Sequence, residues 1–134
     1  MLKSGAKLLG MNPAPFKKVF IHEDNKTEGM LLRLCLSAIP NISVENFPDG
    51  RTLLSRIDEE PEVLITGLND ERDIDLIKTI RSISPFTEII VMSAQQDIEL
   101  IARAQDSGIY NYVVKSEACI EYVKEVLEKL FGKK

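Results

Sequence analysis

Residues 61–94 read PEVLITGLNDERDIDLIKTIRSISPFTEIIVMSA. Val63, Leu64 and Ile65 make an unbroken apolar run, the pattern of a strand covered on both faces. A polar loop, Asn69 to Asp73, follows it. Leu76, Ile77, Ile80 and Ile83 then recur at helical spacing until Pro85 stops the pattern, and Ile89 to Met92 restores the unbroken run. Strand, helix and strand in so short a stretch form one parallel crossover unit, which chirality makes right-handed.

The same alternation extends in both directions. Upstream, Val19 to His22 is a strand, and Asn25 with Glu28 has the form of a capping box. It opens a helix whose buried stripe is Leu31, Leu34, Cys35 and Ala38, and Pro40 ends it. Ile42 and Val44 alternate as a second strand. Pro48-Asp49-Gly50 starts a helix that turns Leu53, Leu54 and Ile57 inward, and Pro61 resets the chain. Downstream, a helix from about Gln96 to Ser107 is closed by Gly108 at C′, and Tyr110 to Val114 is the fifth strand. Ser116 is the N-cap of a last helix on which Ile120, Val123, Leu127 and Leu130 recur. Five strands alternating with five helices predict an α/β fold, a doubly wound (βα)5 three-layer sandwich.

At 134 residues, 44% apolar and 28% charged, the chain can bury one core without metal or disulfide support. We assign residues 1–16 to a flexible N-terminal extension and 17–134 to the domain. Its 17 Lys and Arg against 21 Asp and Glu leave a net charge of −4, which argues against a nucleic-acid partner. His22 is the single histidine, so a multi-histidine zinc site is excluded. Cys35 and Cys119 make neither a cluster nor a disulfide framework. They read as reduced thiols of a cytoplasmic protein, at opposite ends of helices that share a face. No apolar run is long enough to span a membrane, and no membrane partner is expected.

In an open α/β sheet, functional residues lie just past the carboxyl ends of the strands. Those positions hold Glu23-Asp24, Gly67, Ser93-Ala94 and Lys115-Ser116. Adjacent carboxylates need a cation between them, either Mg²⁺ or a lysine, and a hydroxyl with an ammonium suits a phosphoryl group. Plainer readings stand beside this one: a solvated acidic pair, a Ser93 that only caps a helix, and a His22 that packs at the end of its strand.

The strand-end motifs are Val19 to Asn25 (VFIHEDN), Pro61 to Ile65 (PEVLI), Met92-Ser93-Ala94, and Gly108 to Lys115 (GIYNYVVK). In their order and spacing they resemble the receiver domain of two-component response regulators, from about Lys17 to Phe131. The resemblance implies a flavodoxin-like sheet of order 2-1-3-4-5. It also implies Glu23 and Asp24 as Mg²⁺ ligands, Ser93, Ala94 and Lys115 as the phosphate site, and Tyr112 as a switch aromatic. Partners of the family, a histidine kinase or a downstream target, would meet the face of helix 4, strand 5 and helix 5, with Tyr110, Tyr112 and Tyr122. A homodimer through that face is a further option.

One departure decides the expected function. Where receivers carry the phosphoacceptor aspartate, this chain has Gly67, preceded by Thr66 and followed by a shorter loop without the family's Met-Pro. Ser116 stands where receivers have a proline, so a trans bond is expected there. Without the third carboxylate no cofactor is required and Mg²⁺ binds weakly at most. Lys115 then turns toward Asp24 or Glu23. The expected protein is a pseudo-receiver, a binding module and not an enzyme. The alternative is a phosphorylatable regulator that uses Asp70 as a displaced acceptor. A phosphatase of the haloacid-dehalogenase type is disfavoured, because Glu23-Asp24-Asn25-Lys26 supplies no D-x-D motif.

Overall fold

The computed structural model describes residues 16–132. The proposed N-terminal extension therefore lies, apart from Phe16, outside the described residues. The elements are β1 (Lys17–His22), α1 (Lys26–Leu36), β2 (Ile42–Phe47), α2 (Gly50–Leu54), a 3-10 turn (Ile57–Glu59), β3 (Val63–Thr66), α3 (Glu71–Ile83), β4 (Glu88–Ser93), α4 (Ile98–Asp106), β5 (Asn111–Val114) and α5 (Cys119–Phe131). The sheet is parallel throughout, in the order β2-β1-β3-β4-β5. All four residues of β3 are buried, as its unbroken apolar run requires.

Alternate strand residues feed two cores. Val19, Ile21, Val63, Ile65, Ile90 and Met92 pack with Leu32 and Leu36 of α1 and Val123 and Leu127 of α5. Phe20, Leu64, Ile89 and Val91 pack on the other face with Leu53, with Ile74, Ile77 and Ile80 of α3, and with Leu100 and Ala104 of α4. This is the three-layer sandwich, with its strand ends meeting along one edge.

Four local expectations need correction. The buried stripe of α1 is Gly29, Leu32 and Leu36, with Cys35 half-buried; Leu31 and Leu34 are 51% and 59% exposed, and Ala38 is exposed. The helix is apolar nearly all round, so periodicity alone could not choose its inner face. On α3, Ile74 takes the inward place assigned to Ile83, which is 41% exposed because it lies in the last turn. Helix α4 starts at Ile98, since Asp97 caps it by accepting from the N–H groups of Glu99 and Leu100. Ser116 does not cap α5: its carbonyl accepts from Cys119 N–H, and Ala118 holds the N-cap position without a side-chain bond. Gly108 does terminate α4, at a φ of +92° that suits glycine. The Lys115–Ser116 bond is trans, since the described backbone holds no cis peptide.

Beside the sheet edge, Arg56 forks onto Glu45 at 2.9 and 3.0 Å, bonds Glu59, and lies 5.5 Å from the Phe47 ring centroid. Hydrogen bonds from Arg56 and then Lys18 hold the Glu59 carboxyl down to about 2, from its ordinary 4.5. A depressed carboxyl stabilises the fold above its unfolded value, and that contribution is lost as pH falls from 4.5 toward 2. Because the network is partly exposed, the loss is about 1 kcal/mol. Urea melts of the wild type and Glu59→Gln are expected to converge over that interval, and parallel curves would contradict the pairing.

Candidate functional site at the strand ends

His22 pairs with Thr66 across β1 and β3, and Thr66 pairs with Val91 across β3 and β4. One residue further on, Glu23, Gly67 and Met92 therefore stand level. His22 sits half-buried with Nδ1 2.8 Å from Thr66 Oγ1, at the end of its strand. Glu23, Asp24, Gly67, Asp70, Ser93 and Lys115 all border one cleft of about 810 Å³, so the strand-end rule brings the expected residues together.

Gly67 is not demanded by backbone strain or by crowding. A Cβ built on it meets nothing nearer than the Met92 carbonyl oxygen at 3.9 Å. The missing side chain leaves space beside Glu23 and no nucleophile.

Glu23 is 9% exposed and its oxygens are engaged. Oε2 accepts the Asn25 N–H at 3.0 Å, and Oε1 lies 3.4 Å from Lys115 Nζ. Asn46, at the end of β2, holds the Glu23 backbone from the other side. Asp24 is exposed. Lys115 thus turns toward Glu23 and not Asp24, but its shorter bond, 2.7 Å, goes to Glu28 on α1. In the expected capping box, Glu28 would have reached back to the Asn25 N–H. Asn25 does cap the helix by accepting from Glu28 N–H at 2.9 Å, while Glu23 takes the Asn25 N–H and leaves the Glu28 carboxylate free for Lys115. Burial alone would pull the Lys115 ammonium down, but the hydrogen bond from Lys115 to Glu28 and the charges of Glu23 and Glu28 outweigh it and push it above its ordinary 10.5.

The other expected groups are engaged as well. Ser93 is buried, and its hydroxyl donates to the Leu68 carbonyl at 2.8 Å. Ala94 is exposed on the cleft rim. Tyr112 is half-buried, its hydroxyl donating to the Gln95 carbonyl at 3.3 Å. Asp70 caps α3 by accepting from Arg72 N–H, and its second oxygen takes the Arg72 guanidinium at 2.7 Å. That hydrogen bonding to Arg72 holds the Asp70 carboxyl below its ordinary range.

These residues do not fit a tight Mg²⁺ site. Among the described residues no three His, Cys, Asp or Glu side chains converge as a metal cage, and both oxygens of Glu23 are already taken. Titrating millimolar Mg²⁺ is expected to leave the amide resonances of residues 22–25 and 115 in place, and saturable shifts there would contradict this.

Residues 19–127 match the family model of the response regulator receiver domain. The chain belongs to that family. This receiver domain is also similar to the solved phosphorylated cyanobacterial phytochrome response regulator RcpA, with a TM-score of 0.75 and 22% identity over 84% of this chain and 92% of that one. The isolated receiver domain of RcsB from Salmonella enterica serovar Typhimurium, in its apo form, gives 0.74 and 28% over 88% and 90%. RcsB in complex with DNA gives 0.75 and 26%, with 89% of this chain matching 62% of that longer one. The comparison with curated proteins finds no match.

Proposed function

We propose that this receiver domain is a pseudo-receiver: a signalling module of a two-component system that acts by protein–protein binding without aspartyl phosphorylation. The observation that carries the reading is Gly67, level with Glu23 at the end of β3, where the family's acceptor carboxylate is expected. The engagement of Lys115 with Glu28 and Glu23 supports it, because the ammonium needs no acceptor or phosphate to balance its charge. Asp70 is a poor substitute, since helix capping and Arg72 hold both of its oxygens.

The binding face in this reading is α4, β5 and α5. It exposes Tyr110, Val114 and Tyr122 at 48%, 63% and 47%, and Ile98 at 79%, an apolar and aromatic set of the kind that protein partners cover. A histidine kinase, a downstream target or a second copy would meet it there. The chain's net charge of −4 argues against DNA as a ligand, and no described helix is long and apolar enough to cross a membrane. A cytoplasmic binding role without catalytic turnover completes the proposal.

Incubation with acetyl phosphate and Mg²⁺ tests it. The intact mass is expected to remain that of the unmodified chain. A stoichiometric, base-labile phosphoryl adduct would overturn the reading, and mapping the adduct to Asp70 would establish the displaced acceptor instead.

A further inference from the structure

We infer that Ser93, Gln95 and Tyr112 form a built-in latch, which holds the loop between β4 and α4, and with it the α4–β5–α5 face, in one arrangement without any phosphoryl group. The inference deepens the pseudo-receiver reading and rests on it.

The latch begins with a hydroxyl whose single donor is spent within the chain. Ser93 is 3% exposed; it donates to the Leu68 carbonyl at 2.8 Å and accepts the Gln95 N–H at 3.0 Å. A phosphoryl oxygen arriving in the cleft would have to displace a carbonyl of the chain itself. Gln95 makes the second tie. Its Nε2 donates to the Asn69 carbonyl at 2.9 Å, across to the loop after β3, while its Oε1 accepts the N–H groups of Gln96 and Asp97 at 3.0 and 2.9 Å. Tyr112 makes the third, donating from β5 to the Gln95 carbonyl at 3.3 Å. Asp97, the last residue held, is the cap of α4, so the start of that helix is set by the same bonds.

The acceptors of the first two ties, Leu68 and Asn69, directly follow Gly67. The segment that lacks an acceptor side chain thus supplies, from its main chain, what closes the site. Each bond contributes modestly, but three of them bear on a loop of a few residues and constrain it from both neighbouring strands.

The test is backbone-amide relaxation dispersion and hydrogen exchange on the full chain, with and without acetyl phosphate, each sample also weighed as intact protein. In the wild type, residues 94–97 and 112 are expected to show one set of resonances, free of millisecond exchange and unmoved by acetyl phosphate. Gln95→Glu keeps the oxygen acceptors for Gln96 and Asp97 but removes the donor to Asn69, which separates the latch from local capping. It is expected to bring exchange broadening at residues 94–97 and 112 and a loss of protection of about five-fold, the worth of one hydrogen bond. Tyr112→Phe is expected to broaden the same residues. Millisecond exchange in the unmodified wild type, or a Gln95→Glu loop as rigid as the wild type, would overturn the latch alone. A phosphoryl adduct that leaves the loop resonances unmoved would overturn the pseudo-receiver reading alone.

Discussion

Gly67→Asp is expected to turn a chain that takes up no phosphoryl group from acetyl phosphate into one that takes up a single group, in the presence of Mg²⁺. The effect is all-or-none, because the substitution supplies an absent nucleophile instead of tuning an existing one. The cleft admits the new side chain: the Cβ meets only the Met92 carbonyl, at ordinary van der Waals distance, and its backbone φ lies outside the left-handed region. The carboxylate would stand level with Glu23, within the reach of a long lysine side chain that enters the same cleft. To serve the new site, Lys115 must leave Glu28, whose carboxylate is 46% exposed. A partly exposed pair of that kind gives way for about 1 kcal/mol or less. The carboxylate oxygen then attacks phosphorus and acetate leaves with the bonding electrons. Intact mass before and after mild base reads the outcome, and Gly67→Asn supplies the same bulk without the nucleophile. An adduct of equal yield on the wild type or on Gly67→Asn would refute the assignment of position 67. Without an adduct on Gly67→Asp, Ser93 and Lys115 would have to be held too firmly for one carboxylate to recruit them.

The period of the apolar residues was enough to read the layers and the strand ends, because burial on one face or both leaves a direct mark on the chain. The runs 63–65 and 89–92 carry that mark, and they become the buried strands β3 and β4. Helix α1 carries no such contrast. With Met30, Leu31, Leu32, Leu34, Cys35 and Leu36 apolar together, its inner face is decided by Leu32 and Leu36 packing under α5, a tertiary fact. At the site, Glu23, Gly67, Ser93 and Lys115 were legible because each ends or directly follows a strand. Glu28 was not, since it lies inside a helix and local pairing with Asn25 accounted for it. Its real partner is 87 residues away. Gln95 escaped for a similar reason: nothing in a glutamine two residues past a strand distinguishes a bridge between loops from an exposed side chain. The general cause is that capping bonds are local and can be read from spacing, whereas the choice of one carboxylate over another depends on which lysine arrives from the far end of the chain.

Lys115→Met is expected to destabilise the domain by about 2 kcal/mol, chiefly because it strands the buried Glu23 carboxylate without a cation. Methionine conserves much of the lysine stem, so packing changes little and the charge is what is lost. Glu28→Gln should cost less, under about 1 kcal/mol, since Lys115 keeps Glu23 and Glu28 is half in solvent. The variants are coupled: Lys115→Met with Glu28→Gln should be no less stable than Lys115→Met alone, because Glu28 has lost its partner already. Adding Glu23→Gln to Lys115→Met should instead recover stability, by removing the stranded charge while keeping an oxygen to accept the Asn25 N–H. The sign of the pH dependence follows from Lys115 being raised above 10.5: the wild-type contribution is fully present below that value and fades only as the pH climbs beyond it. Urea denaturation of the wild type and the four variants near neutral pH therefore reads the charge effect on a flat part of the curve. A Lys115→Met variant as stable as the wild type would show that Glu23 is satisfied without the lysine. Failure of Glu23→Gln to restore stability would trace the loss to packing, and Lys115 would then hold the loop before α5 by its stem and not by neutralising the cleft.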